Sequence, residues 1–551
     1  MSSGVSGLRG DPWLPEEQMG WRSSAKGRFF NTTGPCNPVE HYMLSPKQRL
    51  VGAMLDKYLT HNLYWVLHAP RQTGKSTFLL SWVREINASR AAVACYVSVE
   101  RCQGFPDPEV TNRAICEAMV ESAQLTFVPE AVPTIPDVGA ASLVSAMLSG
   151  WARQVAPWPL VVLFDEVDVL QDQPMVSFLR QLRSGFAQRG PGRFPTCVAL
   201  VGMRDLRDYL IKAKDGVPVN PGSPFNIKQA STSLSNFSRE DVHALIGQHV
   251  AEKGQPFEAA AIDLIYDLTR GQPWLVNAMA QKCVWNLVPE ETKAPVTVEH
   301  VRQAKELLIQ ERAVHLDSLA ERLKDPRVRR VVQTVLTGKT DTSLGRNDRD
   351  VELCLDLGLI EWRNGLAIAN PIYQEVIPRV LSQNFQDNLY FEEDFPWRRP
   401  DGSLDLAGLL REFQRFWRRN GDEWERGFDY PEAYPHLLLM AFLQRVVNGR
   451  GRIEREYAAG RGRVDLAVEW QGRWSVIEIK LVHPADGREG TIEEGLRQTA
   501  RYRDAVGASE AYLVVFDRRP EARSRPWEER LTWEERPAPT GQGGPITVVG
   551  A

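Results

Sequence analysis

The chain has 551 residues, 43% of them hydrophobic and 25% charged, with a net charge of -4. This is an ordinary globular composition, and at roughly 150 residues per domain it allows three or four domains. The near-neutral charge argues against a globally basic nucleic-acid binder, so any contact with nucleic acid has to use a local patch. Seven scattered cysteines without a Cys-x-x-Cys pair argue against zinc and against a disulfide framework. They fit reduced thiols in a cytoplasmic protein. No apolar run approaches the ~20 residues of a membrane span, and the N-terminus lacks the apolar segment of a secretory signal.

In chain order, residues 1–27 are polar and rich in Gly and Ser, which predicts a disordered leader. From 28 to 230, apolar strands such as "NLYWVLHA" (62–69), "AAVACYVSV" (91–99), "PLVVLFDEVDVL" (159–170) and "TCVALVGM" (196–203) alternate with amphipathic helices. That alternation predicts a parallel sheet covered by helices. Helical patterns fill 231–300 and most of 301–381, the latter closing on a strand-like pair around 358–371. A polar, aromatic connection (382–403) leads to a second αβ block (404–536), and the tail 537–551 is expected to be disordered.

The first strand runs into Ala69-Pro70-Arg71-Gln72-Thr73-Gly74-Lys75-Ser76-Thr77 and then into a helix. This is the Walker A spacing, with Ala69 in place of the first glycine. Backbone N–H groups of such a loop cradle phosphates, Lys75 reaches the β- and γ-phosphates of ATP, and the Ser76 hydroxyl holds Mg²⁺. The apolar strand 161–164 ends in Asp165-Glu166. Carboxylates at the C-terminal end of a parallel strand face the ligand crevice, with Asp165 placed for Mg²⁺ and Glu166 for polarising the attacking water.

"FNTTGPCNPVEHYML" (30–44), "APRQTGKST" (69–77), "LFDEVD" (163–168) and "LTRGQPWLVNAMA" (268–280) together resemble the AAA-like ATPases close to the STAND and archaeal-ATPase groups. The resemblance implies an ATPase core over 28–230 and a helical lid over 231–300. It implies a nucleotide contact from Gly271-Gln272-Pro273, a border to the adenine from 31–38, and a γ-phosphate sensor at Arg204. A surface salt bridge is the competing reading of Arg204. No arginine finger is evident, which leaves open whether turnover needs a homo-oligomer. The 301–381 segment looks like a winged helix, and acids at 350, 352 and 356 favour protein docking over DNA contact.

In the C-terminal block, "VDLAV" (464–468) and "WSVIEIKL" (474–481) form a hairpin-like strand pair. Glu478 and Lys480 lie two apart, on one face of an apolar strand. Burying them is costly unless they are paired, solvated or bound to metal. Asp465 is on the partner strand, and Gln498 and Tyr502 share a face of the next helix. The order Asp, Glu-x-Lys, Gln-x-x-x-Tyr resembles the PD-(D/E)xK nuclease superfamily, near its RecB-type branch. The resemblance implies that Asp465 and Glu478 share Mg²⁺, that Lys480 orients the attacking water or stabilises the oxyanion, and that Gln498 and Tyr502 contact nucleic acid or brace the site. An upstream acid completes the set, with Glu432 the candidate and Glu456 its rival. The bland alternative is a structural Glu478–Lys480 ion pair at a strand edge.

The fold expected is thus α/β: a P-loop NTPase sheet with a helical lid and a winged-helix-like segment, then a restriction-endonuclease-like αβ domain. The expected function is an ATPase controlling a Mg²⁺-dependent nuclease on DNA or RNA. Analogy places such fusions in prokaryotic defence or mobile elements. The alternative is a STAND-type signalling ATPase whose C-terminal domain binds without cutting.

Overall fold

The structure is a computed structural model. It describes residues 11–14, 27–51, 55–203, 211–212, 218–219, 228–310, 319, 321–336, 348–363, 365–381, 397–424, 439–440, 442–443, 451–459, 462–482, 487–517, 519–539 and 544–551. The chain divides into two compact units, 1–308 with 346–372, and 309–345 with 373–551.

The first unit is built on β1 (Leu50–Val51), β2 (Tyr64–His68), β3 (Val93–Ser98), β4 (Leu160–Asp165), β5 (Cys197–Gly202) and β8 (Lys228–Leu234), in the order β1-β8-β2-β5-β4-β3. A two-residue pair, β6 (Ile211–Lys212) with β7 (Pro218–Val219), stands apart from this sheet. The five strands from β8 to β3 run parallel, and only β1 is antiparallel. Alternate side chains of each strand go to opposite faces. Val66, Val162 and Val198 therefore join one core, whereas Trp65, Leu67, Val161 and Val201 join another. A sheet buried on both faces explains why its strands read as continuous apolar runs.

Helix α1 (Leu55–Thr60) precedes β2, and α2 (Lys75–Ala88) leaves the loop after β2, burying Phe78, Leu79 and Trp82. The other face is covered by α3 (Pro108–Gln124), α4 (Ala140–Gln154) and α5 (Asp172–Phe186). The segment expected to form a lid holds α6 (Arg239–Lys253), α7 (Ala259–Thr269) and α8 (Pro273–Lys282). A capping box between Ser238 and Asp241 starts α6. Arg270 and Gly271, both at positive φ, end α7, and Pro273 opens α8 with Gln272 as its N-cap.

The leader is not wholly without structure. Pro12 to Leu14 bond to the chain around Phe127, and the Trp13 indole, 5% exposed, donates to Asn87 Oδ1 at 2.9 Å. A single large aromatic offers enough apolar area to hold a polar segment down. Residues 1–10 and 15–26 lie outside the described residues.

The elements expected over 326–380 are present: α9 (Pro326–Leu336), α10 (Arg349–Asp356), and the antiparallel pair β9 (Ile360–Trp362) and β10 (Leu366–Ile368). The division of the chain places α9 with the second unit and α10, β9 and β10 with the first.

The second unit holds α11 (Leu406–Trp424) and a six-stranded sheet ordered β11-β12-β13-β14-β16-β15. Its strands are β11 (Gly451–Ala459), β12 (Gly462–Trp470), β13 (Arg473–Val482), β14 (Glu510–Asp517), β15 (Trp533–Arg536) and β16 (Ile546–Gly550). The first three form an antiparallel meander, and β13, β14 and β16 run parallel. The long helix α12 (Arg488–Val506) connects β13 to β14 and covers them. A disordered tail from 537 is overturned here: β16 lies inside the sheet, between β14 and β15, with Ile546 and Val548 fully buried. A five-residue run, four of them β-branched, is too short to show a period but suffices for an interior strand. Among the described residues no helix is long and apolar enough to cross a membrane.

Candidate functional site

Each unit presents one cluster of charged side chains on its sheet. In the first, the parallel arrangement brings the C-terminal ends of β2, β3, β4 and β5 to one edge, where α2 begins. The loop turns through Gln72 and Gly74, both at positive φ. Gly74 at φ 95 meets a requirement that glycine satisfies at low cost. The Lys75 ammonium, 6% exposed, donates to the carbonyls of Ala69 and Pro70 at 2.9 and 3.0 Å, and the Thr73 hydroxyl also donates to Pro70. Arg71 is exposed at the loop's crest.

Asp165 is fully buried and well supplied with donors. Its Oδ2 accepts from the Ser76 hydroxyl at 2.6 Å and from the Tyr96 hydroxyl at 3.0 Å, and its Oδ1 accepts from the Glu166 N–H at 3.0 Å. Ser76 and Asp165 are therefore adjacent oxygen donors, a set that fits a hard cation such as Mg²⁺. Glu166 adopts a left-handed conformation at φ 60, ψ 34, a local strain of the kind found at functional sites. Burial pushes its carboxyl up, the Asp168 and Asp165 charges add to that, and Lys75 and Arg71 oppose it.

Two residues of this site were not singled out from sequence. Tyr96 comes from β3, beside β4, and its only signal was a place near the C-terminal end of a parallel strand. Asp168 lies inside the quoted "LFDEVD". Its Oδ1 is buried without a hydrogen-bond partner, and its carboxyl is raised by burial. Gly202, at the end of β5, makes room for it: a Cβ there would lie 2.9 Å from Asp168 Oδ1.

The lid and the 30–38 segment meet the same loop. Gln272 Nε2 points to the Gln72 carbonyl at 3.4 Å, and its Oε1 accepts from Leu275 N–H at 2.6 Å. Pro273 is buried at the start of α8. The Cys36 N–H donates to the Thr77 hydroxyl, while Trp274 and Gln281 of α8 donate to the carbonyls of Thr32 and Phe30. Residues 30–36 thus run between the start of α2 and the lid. Arg204 lies outside the described residues.

In the second unit, the β12–β13 register pairs Leu466 with Ile477, and one step further along brings Asp465 beside Glu478. There the ladder gives way to a side chain: Asp465 Oδ2 accepts the Ile479 N–H at 2.7 Å. Glu478 is 3% exposed. Its Oε1 accepts from Lys480 Nζ at 2.9 Å, and its Oε2 is buried with no hydrogen-bond partner. Burial, reinforced by the Asp465 charge, pushes its carboxyl up to about 7. Burial pulls the Lys480 ammonium down, but Glu478, Asp465 and Glu494 together outweigh it and the net shift is upward.

Lys480 also donates to Gln498 Oε1 at 2.6 Å, and Gln498 Nε2 donates to Glu494 Oε1 at 3.0 Å. Gln498 therefore reaches Lys480 directly. Glu494, one turn earlier on α12, was overlooked in the sequence although the i, i+4 spacing was there to read. Tyr502 shares the helix but its ring is 8% exposed and belongs to the apolar core. Gly495 lets α12 approach the sheet, because a Cβ there would lie 2.7 Å from Leu513 Cδ1 and 3.2 Å from Lys480 Cγ. Among the described residues no group of three His, Cys, Asp or Glu could hold a metal by itself. Asp465 and Glu478 supply two carboxylates. Glu432 lies outside the described residues, and so does the side chain of Glu456. An orphaned buried oxygen on a carboxylate whose pKa is raised fits a cation partner.

No protein-family model matches the chain, and no curated protein matches it. Among solved structures, the chain is similar to a Walker-type ATPase of Pyrococcus abyssi, at 13% identity and a TM-score of 0.44, covering 63% of this chain and 99% of that one. It is also similar to Cdc6p from Pyrobaculum aerophilum, at 12% identity and a TM-score of 0.36, over 69% of this chain and 100% of that one. The Thermotoga maritima RuvB Holliday junction branch migration motor shows 13% identity and a TM-score of 0.31, over 59% and 91%. Such low scores and identities leave the reading of both sites to their own geometry.

Proposed function

We propose that the chain binds and hydrolyses ATP in its first unit, and that this controls a Mg²⁺-dependent phosphodiester-cleaving activity of the second unit on DNA or RNA. The ATP half is carried by the contact of Ser76 with Asp165 beneath a loop that starts a helix. The nuclease half is carried by the partnerless Oε2 of Glu478 beside Asp465 and Lys480.

In the first unit, the loop's backbone N–H groups and the start of α2 would receive the phosphates. Lys75 would exchange its two carbonyl partners for phosphate oxygens, and Ser76 with Asp165 would hold the ion. Glu166, kept partly desolvated, would orient the attacking water. In the second unit, Asp465 and Glu478 would hold Mg²⁺, which when bound lowers the pKa of water and offsets negative charge on the phosphodiester. Lys480, steadied by Gln498, would stabilise the oxyanion. The Gln498–Lys480 bond supports a bracing role for Gln498 over contact with nucleic acid. A role in prokaryotic defence or mobile-element biology is the extension of this reading.

One observation favours a second reading. Lys480 is held by both Glu478 and Gln498, as a purely structural ion pair would be. A signalling ATPase whose C-terminal unit binds without cutting would keep that pair. The test is an assay of the full chain on linear, circular and single-stranded DNA and on RNA, with Mg²⁺ or Mn²⁺, with and without ATP. Cutting that disappears in Lys480→Ala supports the nuclease. ATP hydrolysis without cutting on any substrate selects the signalling reading.

A further inference from the structure

Arg49 ends a short turn just before β1 and is 7% exposed. Burying a guanidinium is costly unless it is paired, yet among the described residues no carboxylate lies within salt-bridge distance of it. Its partners are backbone carbonyls and a ring. Nη2 donates to the Thr73 carbonyl at 2.6 Å and to the Ser235 carbonyl at 2.6 Å, and Nε donates to Ser235 at 2.9 Å. Its Cζ lies 4.6 Å from the centre of the Phe237 ring, a cation–π distance. The carboxylate whose charge acts on it, Asp241, is engaged in the capping box of α6.

Each partner matters to the nucleotide loop. The Thr73 carbonyl and the Gly74 N–H belong to one peptide unit, and in a trans peptide the two bonds point opposite ways. Holding the carbonyl toward Arg49 therefore turns the Gly74 N–H away from Arg49. Gly74, at φ 95, has the freedom that would otherwise let this peptide rotate. On the other side, Ser235 and Phe237 lead from β8 into the lid. The Phe237 N–H donates to the Gly271 carbonyl at 2.8 Å, and a Cβ at 271 would collide with the Phe237 carbonyl oxygen at 1.9 Å.

We propose that Arg49 is a positioning residue for ATP: its guanidinium locks the Thr73–Gly74 peptide with the Gly74 N–H facing the phosphates, ties that loop to the lid through Ser235 and Phe237, and finds in the nucleotide polyphosphate a counter-charge that no carboxylate among the described residues supplies at salt-bridge distance. This rests on the ATP reading above. It assigns a role to a side chain that does not touch the nucleotide, and lysine cannot replace it, because one ammonium does not reproduce the planar fork that spans two carbonyls and stacks on Phe237.

The test compares the full wild-type chain with Arg49→Lys and Arg49→Met. Three quantities are read: affinity for a fluorescent MgATP and MgADP analogue, ATP turnover, and amide hydrogen exchange over 70–77 without nucleotide. The expected result is a loss of MgATP affinity of roughly tenfold or more in Arg49→Met, the scale of a lost charge-assisted hydrogen bond. The triphosphate should lose more than the diphosphate, and exchange at 70–77 should quicken in both variants. Arg49→Lys should keep part of the triphosphate preference while losing turnover, and it decides the matter if Arg49→Met fails to fold. Wild-type affinity, turnover and exchange in Arg49→Lys overturn the role of Arg49. A wild-type chain that binds no MgATP overturns the ATP reading itself and, with it, the ligand assigned here. The two failures are told apart by the wild-type lane.

Discussion

The two charged clusters solve the same problem, a buried carboxylate on a sheet strand, in opposite ways. Asp165 is fully buried and receives three donors: Ser76, Tyr96 and the Glu166 N–H. Glu478 is almost as buried, yet one of its oxygens has no donor and its pKa is pushed to about 7. Burial beside a second carboxylate pushes Glu478 toward its neutral form. In the first unit Asp165 is thus satisfied by donors that have to be exchanged when nucleotide arrives, while Asp168 nearby keeps one partnerless oxygen. The second is short of positive charge, and a divalent cation would supply it.

The largest effect that could break this contrast is loss of the lysines. Lys480→Ala should lower cutting by about a hundred- to a thousandfold, the scale of removing a main oxyanion stabiliser, and leave ATP turnover intact. Lys75→Ala should abolish ATP turnover, and the same nuclease assay then reads whether ATP governs cutting. Retained cutting in Lys480→Ala would reduce Glu478 and Lys480 to a structural pair.

Next in size is the pH dependence of the Glu478 site. Below about 7 the carboxyl becomes protonated, so apparent Mg²⁺ affinity, measured by calorimetry, should fall roughly fivefold as pH drops from about 7 to about 6. Without metal the sign for stability is reversed. The folded pKa is raised from an ordinary 4.5 to about 7, so the folded chain binds more protons between those values. This contribution to stability is complete below about 4.5 and is lost as pH rises through about 7. Glu478→Gln should flatten that slope in metal-free melts. A slope unchanged in the variant would assign it to another group.

Tyr96→Phe sharpens the contrast on the other side. It removes one of the donors to Asp165, and the loss in ATP turnover should be roughly tenfold, as for a hydrogen bond to a charged group. A smaller loss than in Lys75→Ala, with Mg²⁺ dependence shifted to higher concentration, is the outcome that supports a supporting role.

The smallest expected effect is at Glu494. Its bond to Gln498 Nε2 turns the amide oxygen toward Lys480. Glu494→Ala should reduce cutting several-fold, at the low end for partners once removed from a metal site. Its melting temperature should stay near wild type, since the residue is exposed. Full activity in Glu494→Ala would leave Gln498 orienting itself.

Much of this could be read from the sequence because it lies in contiguous stretches. The loop 69–77 between a strand and a helix, the run from Val161 to Glu166, and the order Asp465, Glu478, Lys480, Gln498 each carry their chemistry in spacing, since strand and helix periods dictate which neighbours share a face. The parallel sheet followed from alternating elements for the same reason. What lay beyond reach depends on residues far apart in the chain. Trp13 packs beside Asn87, β16 enters between β14 and β15, and Arg49 binds carbonyls 24 and 186 positions away. A backbone carbonyl is the same at every residue, so a side chain that recognises one leaves no mark in the partner's sequence. Burial behaves likewise: the sequence determined that Glu478 and Lys480 share a face, but only the tertiary structure, by removing water and setting Asp465 beside them, decided that one carboxylate oxygen would lack a donor and that the group would hold its proton to about 7.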